Sequence, residues 1–542
     1  MRRMLSAAAV VAVIAGALSV TASAGAAANR STKTSARAAH TITWGTCSDP
    51  NLKGLHAQCG YLSVPLDYSN PSGAHIQLAV SRIRHTSRHY QGILLTNPGG
   101  PGGSGLNLNA FLIPVLKQEG FNQAAGDYDW IGFDPRGVGS SKPAITCVPS
   151  YFHPKRPNYV PISQWLLNYW RSSSESYANA CATKSHLQRQ LLHNMTTRDA
   201  ARDMNSIREA LGQKQMTYYG FSYGTYLGQE YSTMFPSHVR RLIMDSNVDP
   251  RHVWYKANLE QDLAFNRNEN IWFGWLAKYN NVYHLGSTEK AVQHLFYGTE
   301  QRLKKHPAGG QVGPDEWVDA LLPAGYYEQT WLQLGQVFSD WINHHNAKPL
   351  IAAYRSSDAP GNDNGFAVYN AVQCTDVQWP TSWDKWSSDN WKIYSKAPFE
   401  TWANAWYNAP CLHWPAPASH PTKVNGSGVK SALLIDETLD AATPFEGSEY
   451  VRKIFPHSVL LAEPGGTTHA DSLFGDLCVD GTIARYLTTG ALPSRKPGAN
   501  WDKTCAPLPR PVPSGATPMR PATPRFAPRQ MAHLGLPAVF AR

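Results

Sequence analysis

The sequence predicts an α/β fold in which a mostly parallel sheet, flanked by helices, is interrupted by a large and mainly helical cap. Strand-like and helix-like segments alternate from residue 76 to residue 245, as expected for parallel strands joined by helices. Between residues 246 and 430 the alternation stops, and this segment holds 13 of the 18 tryptophans. Strand-like runs resume at residue 431, so the helical segment is an insertion into one sheet domain.

Each strand is predicted from a short run of apolar, aromatic or alternating residues. Residues 76–83 alternate with a period of two, which is typical of a half-buried strand. Residues 197–211 place apolar side chains on one helical face and predict a helix. Residues 42–66 have no clear periodicity and are interpreted as an irregular N-terminal segment. Short apolar or aromatic runs predict the other strands at residues 92–96, 128–133, 216–219, 239–245, 431–435 and 458–462.

The net charge of +10 does not indicate a nucleic-acid-binding protein. Residues 1–40 carry five basic residues and no acid, and residues 506–542 carry another five and no acid. The segment between them has 39 basic and 39 acidic residues. A neutral body offers no basic groove for a phosphate backbone, so no nucleic-acid partner is expected.

The two ends of the chain are predicted to lie outside the folded body. Residues 1–24 combine a basic start, an apolar run and an Ala-Ser-Ala cleavage site, which is typical of a signal peptide. The alternative, a membrane anchor, is disfavoured because sixteen apolar residues are short for a span. Residues 25–40 are interpreted as a pro-segment or a disordered lead-in, and the Pro- and Arg-rich residues 506–542 as a disordered tail. We therefore expect a secreted protein without stable membrane insertion, built from a core at 41–245 and 431–505 and a cap at 246–430.

Eight cysteines in an exported chain predict disulfides. No Cys-x-x-Cys spacing indicates zinc, and neither a metal site nor a cofactor is expected. Eight cysteines allow 105 connectivities, and short loops favour pairing between neighbours in sequence. The favoured pairs are Cys47–Cys59, Cys147–Cys181, Cys374–Cys411 and Cys478–Cys505.

The segment Gly220-Phe221-Ser222-Tyr223-Gly224 has the pattern of a nucleophile elbow. In such an elbow a strand turns sharply into a helix and exposes a serine hydroxyl at the turn. Residues 216–219 supply the strand, and residues 225–235 have the composition of a buried helix. Because the bare pattern also arises by chance, its assignment depends on partner residues elsewhere in the chain.

Residues 97–105, Asn-Pro-Gly-Gly-Pro-Gly-Gly-Ser-Gly, follow a predicted central strand. Five glycines in nine residues let the backbone approach a ligand and direct N–H groups at developing negative charge. A phosphate-binding loop is the alternative, but the Gly-Lys-Ser/Thr signature is missing. The turn at residues 134–141 is interpreted as structural, with Asp134 and Arg136 bracing loops.

A carboxylate and a histidine follow the last two predicted strands. Asp440 lies after the strand at 431–435 and His469 after the strand at 458–462. With Ser222, they give the chain order Ser, Asp, His that belongs to one class of serine hydrolase. Asp436 is the alternative acid, although it lies only one residue beyond its strand. His457 precedes its strand and is interpreted as a surface residue.

These signals together resemble the α/β-hydrolase superfamily and, more narrowly, the secreted tripeptidyl aminopeptidases related to proline iminopeptidases. The resemblance spans about residues 42–505 and implies a serine exopeptidase that removes short peptides, most simply tripeptides, from free N-termini. It also implies an oxyanion hole built from the backbone N–H groups of Gly100 and Tyr223. The matching segments are residues 97–105, 134–137 and 220–225, Asp440 with Thr443 and Pro444, His469, and the ending from Cys478 to Cys505.

An aminopeptidase of this type needs a carboxylate in its cap to hold the cationic substrate amine. Asp376, beside Cys374, is the favoured candidate, ahead of Glu260, Asp262 and Glu269. Each of these acids has an alternative interpretation as an exposed or helix-capping residue. The expected partners are peptides or proteins with a free N-terminus, and the chain is expected to be a monomer.

Three other functions remain open at this level. An esterase or lipase would use the same triad beneath a more apolar cap. A proline-iminopeptidase-like enzyme would release single residues. A catalytically dead hydrolase fold used for binding would be expected to lose one of Ser222, Asp440 and His469, all of which are present.

Overall fold

The computed structural model describes residues 41–516 and contains one ten-stranded sheet within that range. The predicted signal peptide, the lead-in and the part of the tail from residue 517 onward lie outside the described residues. The strands follow the spatial order β1-β2-β3-β5-β4-β6-β7-β8-β9-β10. Their bounds are β1 Gly45–Thr46, β2 Gln58–Pro65, β3 His75–Ile83, β4 Ile93–Asn97, β5 Asp129–Phe133, β6 Met216–Phe221, β7 Val239–Asp245, β8 Ala432–Glu437, β9 Ser458–Glu463 and β10 Lys503–Thr504.

The sheet is parallel from β5 through β4 to β10 and antiparallel at its N-terminal edge. All seven strands predicted from the sequence are present. The interpretation of residues 42–66 as irregular was wrong, since β2 pairs along its whole length with β3. Its signal was hidden because the alternation of exposed and buried positions is confined to residues 61–64, after three half-buried residues at the start of β2.

Nineteen α-helices accompany the sheet within residues 41–516. They are α1 Pro50–Gly54, α2 Asn109–Gln118, α3 Asn122–Gly126, α4 Gln164–Ala182, α5 His186–Leu192, α6 Thr197–Ala210, α7 Tyr223–Met234, α8 Tyr255–Lys278, α9 Asn280–Tyr283, α10 Glu289–Leu303, α11 Pro314–Leu321, α12 Pro323–Tyr326, α13 Trp331–His344, α14 Ala347–Asp358, α15 Asn364–Asp376, α16 Trp383–Tyr394, α17 Thr401–Asn408, α18 Glu446–Ile454 and α19 Leu477–Thr489.

The central strands are apolar on both faces because helices cover both sides of the sheet. Neighbouring residues of one strand enter different cores: Leu94 packs with α2, α3 and α19, whereas Leu95 packs with α6, α7 and α18. Leu433 and Leu434 of β8 divide in the same way. This double coverage explains why the central strands appear in the sequence as continuous apolar runs.

The cap is helical, as predicted, and extends beyond the predicted bounds. Helices α8 to α17 lie within residues 246–430. The segment before α6 joins them: the Trp170 ring of α4 stacks near Trp406 of α17, with centroids 6.1 Å apart. The buried Arg156, in the same segment, forms ion pairs with three cap residues, Glu316, Asp319 and Asp358. The cap therefore includes the segment around Arg156 and Trp170, which composition alone assigned to the core.

The first part of the predicted disordered tail is ordered. Within residues 506–516, Arg510 donates to Glu328 at 3.0 Å, and the carbonyl of Pro511 accepts a hydrogen bond from the Trp275 indole at 3.0 Å. The boundary placed at Cys505 is thus corrected, because the chain continues along the cap to at least residue 516. A Pro-rich segment needs no regular secondary structure to be held by such contacts.

All four predicted disulfides are present: Cys47–Cys59, Cys147–Cys181, Cys374–Cys411 and Cys478–Cys505. They tie together segments 12 to 37 residues apart in sequence. Among residues 41–516, no helix has the length and apolar character needed to cross a bilayer. The disulfides are consistent with an extracellular protein.

Candidate active site

Ser222 occupies the sharp turn between β6 and α7. Its backbone has φ 56° and ψ −128°, a strained conformation for a residue with a side chain and the one that a nucleophile elbow imposes. Gly224 is required here because a Cβ atom on it would lie 2.7 Å from the carbonyl oxygen of Asn97. The N–H of Ser222 donates a hydrogen bond to the carbonyl of Asp245, at the end of β7, at 3.0 Å, and this bond fixes the elbow to the neighbouring strand.

The glycine-rich loop lies directly on the elbow. Gly99, with φ 99°, approaches so closely that a Cβ atom would come 3.0 Å from the backbone nitrogen of Tyr223. Asn97 fixes the turn by accepting the N–H of Gly99 at 2.9 Å on its side-chain oxygen. Gly100 and Tyr223 line the same cavity as Ser222. The structure therefore brings together the two residues predicted to form the oxyanion hole.

Asp134 braces the glycine-rich loop, as predicted for this turn. Its buried carboxylate accepts hydrogen bonds from the Ser104 hydroxyl at 2.5 Å and from the N–H of Ser140 at 2.7 Å. Arg136 has a separate bracing role, since its guanidinium makes a two-point ion pair with Asp203 at 2.7 Å. Both side chains are almost fully buried, so they act on loop position and not on a ligand.

Asp440 and His469 meet after β8 and β9. The Nδ1 atom of His469 lies 2.8 Å from Oδ2 of Asp440. The other oxygen of Asp440 accepts the N–H groups of Ala442 at 2.8 Å and Thr443 at 3.1 Å. Burial opposes ionisation of Asp440, but the charge and hydrogen bond of His469, with the Thr443 N–H, hold its pKa below the usual value.

The second ring nitrogen of His469, Nε2, is buried and has no hydrogen-bond partner among the described residues. The structure thus joins Asp440 to His469 but forms no hydrogen bond from Nε2 to Ser222. Such catalytic hydrogen bonds are often long without substrate and tighten in the complex. The loop is held by the N–H of His469, which donates to the carbonyl of Tyr326 in the cap at 2.8 Å.

The alternative residues lie elsewhere. Asp436 accepts the Ser448 hydroxyl at 2.5 Å and makes no hydrogen bond with His469. His457 is exposed. Asp376 does not line the cavity, and its carboxylate accepts hydrogen bonds from Thr197 at 2.6 Å and from the Trp254 indole at 3.1 Å. The expectation that Asp376 holds the substrate amine is corrected by this placement, because both of its oxygens are already engaged inside the protein.

A cavity of about 540 Å³ opens above Ser222, between the sheet and the cap. Helix α8 forms much of its wall, with Asn258, Gln261 and Arg267 among the lining side chains. Arg267 also donates to the carbonyl of Asp440 at 3.3 Å, which ties α8 to the loop that carries the acid. The wall mixes amide and charged side chains with aromatic rings.

The sequence is similar to known proteins over nearly all of the folded body. Residues 92–347 match a family model described as the alpha/beta hydrolase fold, and residues 397–505 match one described as TAP-like protein. A tripeptidyl aminopeptidase of Streptomyces coelicolor is 41% identical over 491 residues, covering 88% of this chain and 88% of that protein. This chain belongs to the tripeptidyl aminopeptidase family of α/β hydrolases.

Two more distant relatives have other names and activities. The serine protease Hip1 of Mycobacterium tuberculosis is 29% identical and covers 83% of this chain and 89% of its own length. A carboxylesterase B of the same species is also 29% identical, covering 81% of this chain and 85% of its own length. The identity to the tripeptidyl aminopeptidase is higher than the identity to either of these two relatives, and the fold and the serine hydrolase class are those of the family.

Sequence reasoning named one acid that lines the cavity from the cap, Glu260, but missed another, Glu400. Glu400, 5% exposed at the start of α17, lines the cavity. Asp262 and Glu269 lie seven residues apart on one face of α8. Both are buried, and both are close to Glu400. Burial, followed by the charge of Glu400, raises the pKa of both carboxyls well above the usual value. Nothing in the sequence marks Glu400, because its role depends on how α17 packs against α8.

Proposed function

We propose that this chain is a serine exopeptidase that releases short peptides, specifically tripeptides, from free N-termini. The observation that carries the proposal is the position of one cavity. It is lined at once by Ser222 and Gly100 from the sheet and by the buried carboxyl of Glu400 from the cap. A nucleophile and a group that binds a cationic amine then lie in one enclosed space, as an enzyme reading from a chain terminus requires.

In the proposed mechanism, Ser222 attacks the carbonyl carbon of the scissile peptide bond. Nε2 of His469 takes the serine proton and later gives it to the leaving amine. Asp440 holds the histidine tautomer through the 2.8 Å contact at Nδ1 and stabilises the imidazolium that forms. The acyl-enzyme is then hydrolysed by water, with His469 acting first as base and then as acid.

We assign the stabilisation of the negative charge that develops on the carbonyl oxygen to two backbone donors, the N–H groups of Gly100 and Tyr223. The close packing of Gly99 on the elbow supports this assignment, since it fixes the separation between the loop and the start of α7. Loss of one such donor typically raises the barrier by about 3–4 kcal/mol. Preorganisation by the glycine-rich loop is therefore a substantial part of the proposed rate enhancement.

Binding of the substrate amine is assigned to Glu400, and the neighbouring carboxyls of Asp262 and Glu269 support Glu400 in this role. The charge of Glu400 helps to raise the pKa of Asp262 and of Glu269, and a cationic amine bound beside these carboxyls would relieve that repulsion. Arg251 and His252 on the wall are already engaged with Asp249 and Glu260 at 2.5 and 2.8 Å. The amine of an incoming peptide would be paired by the acids, which offsets the cost of removing its charge from water.

The test is hydrolysis of one peptide with its N-terminus free and then acetylated, followed by mass spectrometry. We expect tripeptide release from the free form and a fall in kcat/KM of at least about tenfold after acetylation. Glu400→Gln should lower kcat/KM for the free peptide by roughly 30- to 5,000-fold, because a desolvated charge pair is broken. Hydrolysis of p-nitrophenyl acetate, which has no amine, should be nearly unchanged.

Glu446→Gln is the matched control, because Glu446 also lines the cavity but is exposed to solvent. We expect its effect on kcat/KM to be small, since an exposed charge is screened. Equal cleavage of the free and acetylated peptides, or cleavage in the middle of long chains, would contradict the exopeptidase proposal. Equal effects of the two glutamine variants would remove Glu400 from the amine site.

An esterase is the second candidate, and the similarity to a carboxylesterase B favours testing it. The same Ser222, His469 and Asp440 would hydrolyse esters without further groups. The acidic part of the wall argues against long-chain acyl substrates, because burying apolar chains against ionised or polar groups is unfavourable. A preference for long-chain esters over every peptide tested would establish this second function.

The four disulfides support action outside the cytoplasm, where such bonds persist. We propose a secreted enzyme that acts on peptides or proteins and needs no membrane insertion. The proposed monomeric state can be measured by size-exclusion chromatography with light scattering. N-terminal sequencing of exported protein tests whether residues 1–24 are removed as proposed.

A further inference from the structure

Three carboxylates from distant parts of the sequence converge behind the catalytic loops. Glu437 ends β8, Glu463 ends β9, and Asp471 follows His469 by two residues. One oxygen from each lies within 4.8 Å of the others. The three residues are 2%, 0% and 3% exposed, so the cluster is closed off from bulk solvent.

Glu463 is unusual within this cluster because neither of its carboxylate oxygens has a hydrogen-bond partner. Oδ2 of Asp471 is also buried without a partner. Glu437 is better satisfied, since it accepts the N–H of Thr468. Three buried acceptor atoms of the cluster therefore have no hydrogen-bond donor among the described residues, a situation that is costly unless a ligand or a proton satisfies them.

No basic side chain compensates these charges. Within residues 41–516, none of the ion pairs formed by Lys, Arg or His involves any of the three acids. Burial, followed by the charges of other acids, Asp471 and Asp476 foremost, raises the pKa of Glu463 to about 11. The site is a concentration of carboxyl groups in a region of low dielectric, which binds a cation or retains protons.

We propose that Glu437, Glu463 and Asp471 bind a hard divalent cation, Ca²⁺, between the two loops that carry Asp440 and His469. Carboxylate oxygens are the ligands that Ca²⁺ prefers, at about 2.3–2.6 Å, and three carboxylates supply up to six of them. Oxygens on opposite sides of such an ion lie about 4.6–5.2 Å apart, which accommodates the spacing observed here. The absence of Cys and His from the cluster disfavours zinc.

The position of the site gives the cation a structural task. Glu437 lies three residues before Asp440, and Asp471 lies two residues after His469. A bound ion would link the ends of β8 and β9 to the His469 loop and hold both members of the pair in place. The prediction of no metal from the sequence arose because the three acids are separated by up to 34 residues and share no motif.

The test uses the full chain after treatment with EDTA, with Ca²⁺ added alone and Mg²⁺ in a parallel series. We expect bound calcium by elemental analysis and a Tm that rises with the logarithm of free Ca²⁺. In Glu463→Gln, which keeps the shape of the side chain, both effects should be lost. Asp384→Asn, which changes an exposed acid on α16, should keep both.

Two results would overturn the proposal. The first is a wild-type Tm that does not respond to Ca²⁺, Mg²⁺ or EDTA. If this Tm also rises on acidification, and the rise is absent in Glu463→Gln, the cluster holds protons instead of a cation. The second is a Ca²⁺ response of equal size in wild type and Glu463→Gln, with Asp471→Asn also unchanged, which would place the ion elsewhere. Neither result depends on peptidase activity, so the proposed function is tested separately.

Discussion

Gly99 and Ser222 are in direct contact, and the geometry leaves no room for a side chain between them. A Cβ atom on Gly99 would lie 2.9 Å from Cβ of Ser222 and 2.6 Å from the carbonyl oxygen of Phe221. Gly99 also has φ 99°, a conformation that residues with side chains rarely adopt. The glycine-rich loop and the elbow are thus positioned by one close approach of two backbones.

Gly99→Ala should therefore damage the site through both strain and steric overlap. We expect kcat to fall by at least about 100-fold, the effect of losing one oxyanion donor, because the loop must move away from Tyr223. Reaction with a fluorophosphonate probe should slow in parallel. The measurement is steady-state kinetics together with the rate of probe labelling.

Gly361→Ala is the matched control for this variant. Gly361 also has φ 99°, but nothing lies within 4 Å of the Cβ position. This control carries the backbone strain, about 1–3 kcal/mol in stability, without the overlap. Comparable losses of activity in the two variants would mean that strain alone, and not the contact with the elbow, explains the effect.

Asp440→Asn should lower kcat by roughly 10⁴-fold, as expected when the carboxylate that fixes the histidine tautomer becomes an amide. Asp436→Asn should have a much smaller effect on kcat, because Asp436 contacts Ser448 instead of His469. Circular dichroism should accompany the kinetics for both variants, as both side chains are buried. An equal loss of kcat in the two variants, with native circular dichroism in both, would exclude the specific role of Asp440.

The buried carboxyl of Asp376 predicts a pH dependence of stability. Burial raises its pKa to about 7, against an ordinary value of 3.8. Because the folded state binds this proton more tightly than the unfolded state, the contribution is complete below about pH 4 and is lost as pH rises through about 7. The free energy of unfolding, measured in urea from pH 4 to pH 8, should fall less steeply with pH in Asp376→Asn. An unchanged slope would contradict the raised pKa.

The parts of the site that could be predicted from the sequence are those fixed by local backbone geometry. Ser222 is marked by the elbow glycines, and Asp440 and His469 are marked by their positions just after apolar strands. The order of strands along the chain then places all three at one edge of the sheet. The disulfides could be predicted for a similar reason, since each closes a short loop.

The parts that could not be predicted depend on packing between distant segments. Asp376 has the sequence context of a binding residue, but the fold turns its carboxylate toward Thr197 and Trp254. Glu400 has no such context and nevertheless reaches the cavity. Helical periodicity identifies the buried face of a cap helix, but it does not specify which neighbouring helix covers that face.

The last prediction concerns the ordered beginning of the tail. Glu328 accepts a hydrogen bond from Arg510 at 3.0 Å and another from the Thr467 hydroxyl at 2.7 Å. Thr467 lies two residues before His469. The Arg510 side chain is 44% exposed, so Arg510→Ala should lower the free energy of unfolding by only about 0–1 kcal/mol. Glu328→Gln should cost more, about 1–3 kcal/mol, because a buried acceptor is weakened. A double-mutant cycle in urea measures the coupling between the two residues. A loss of several kcal/mol in Arg510→Ala would instead make the tail a principal support of the cap.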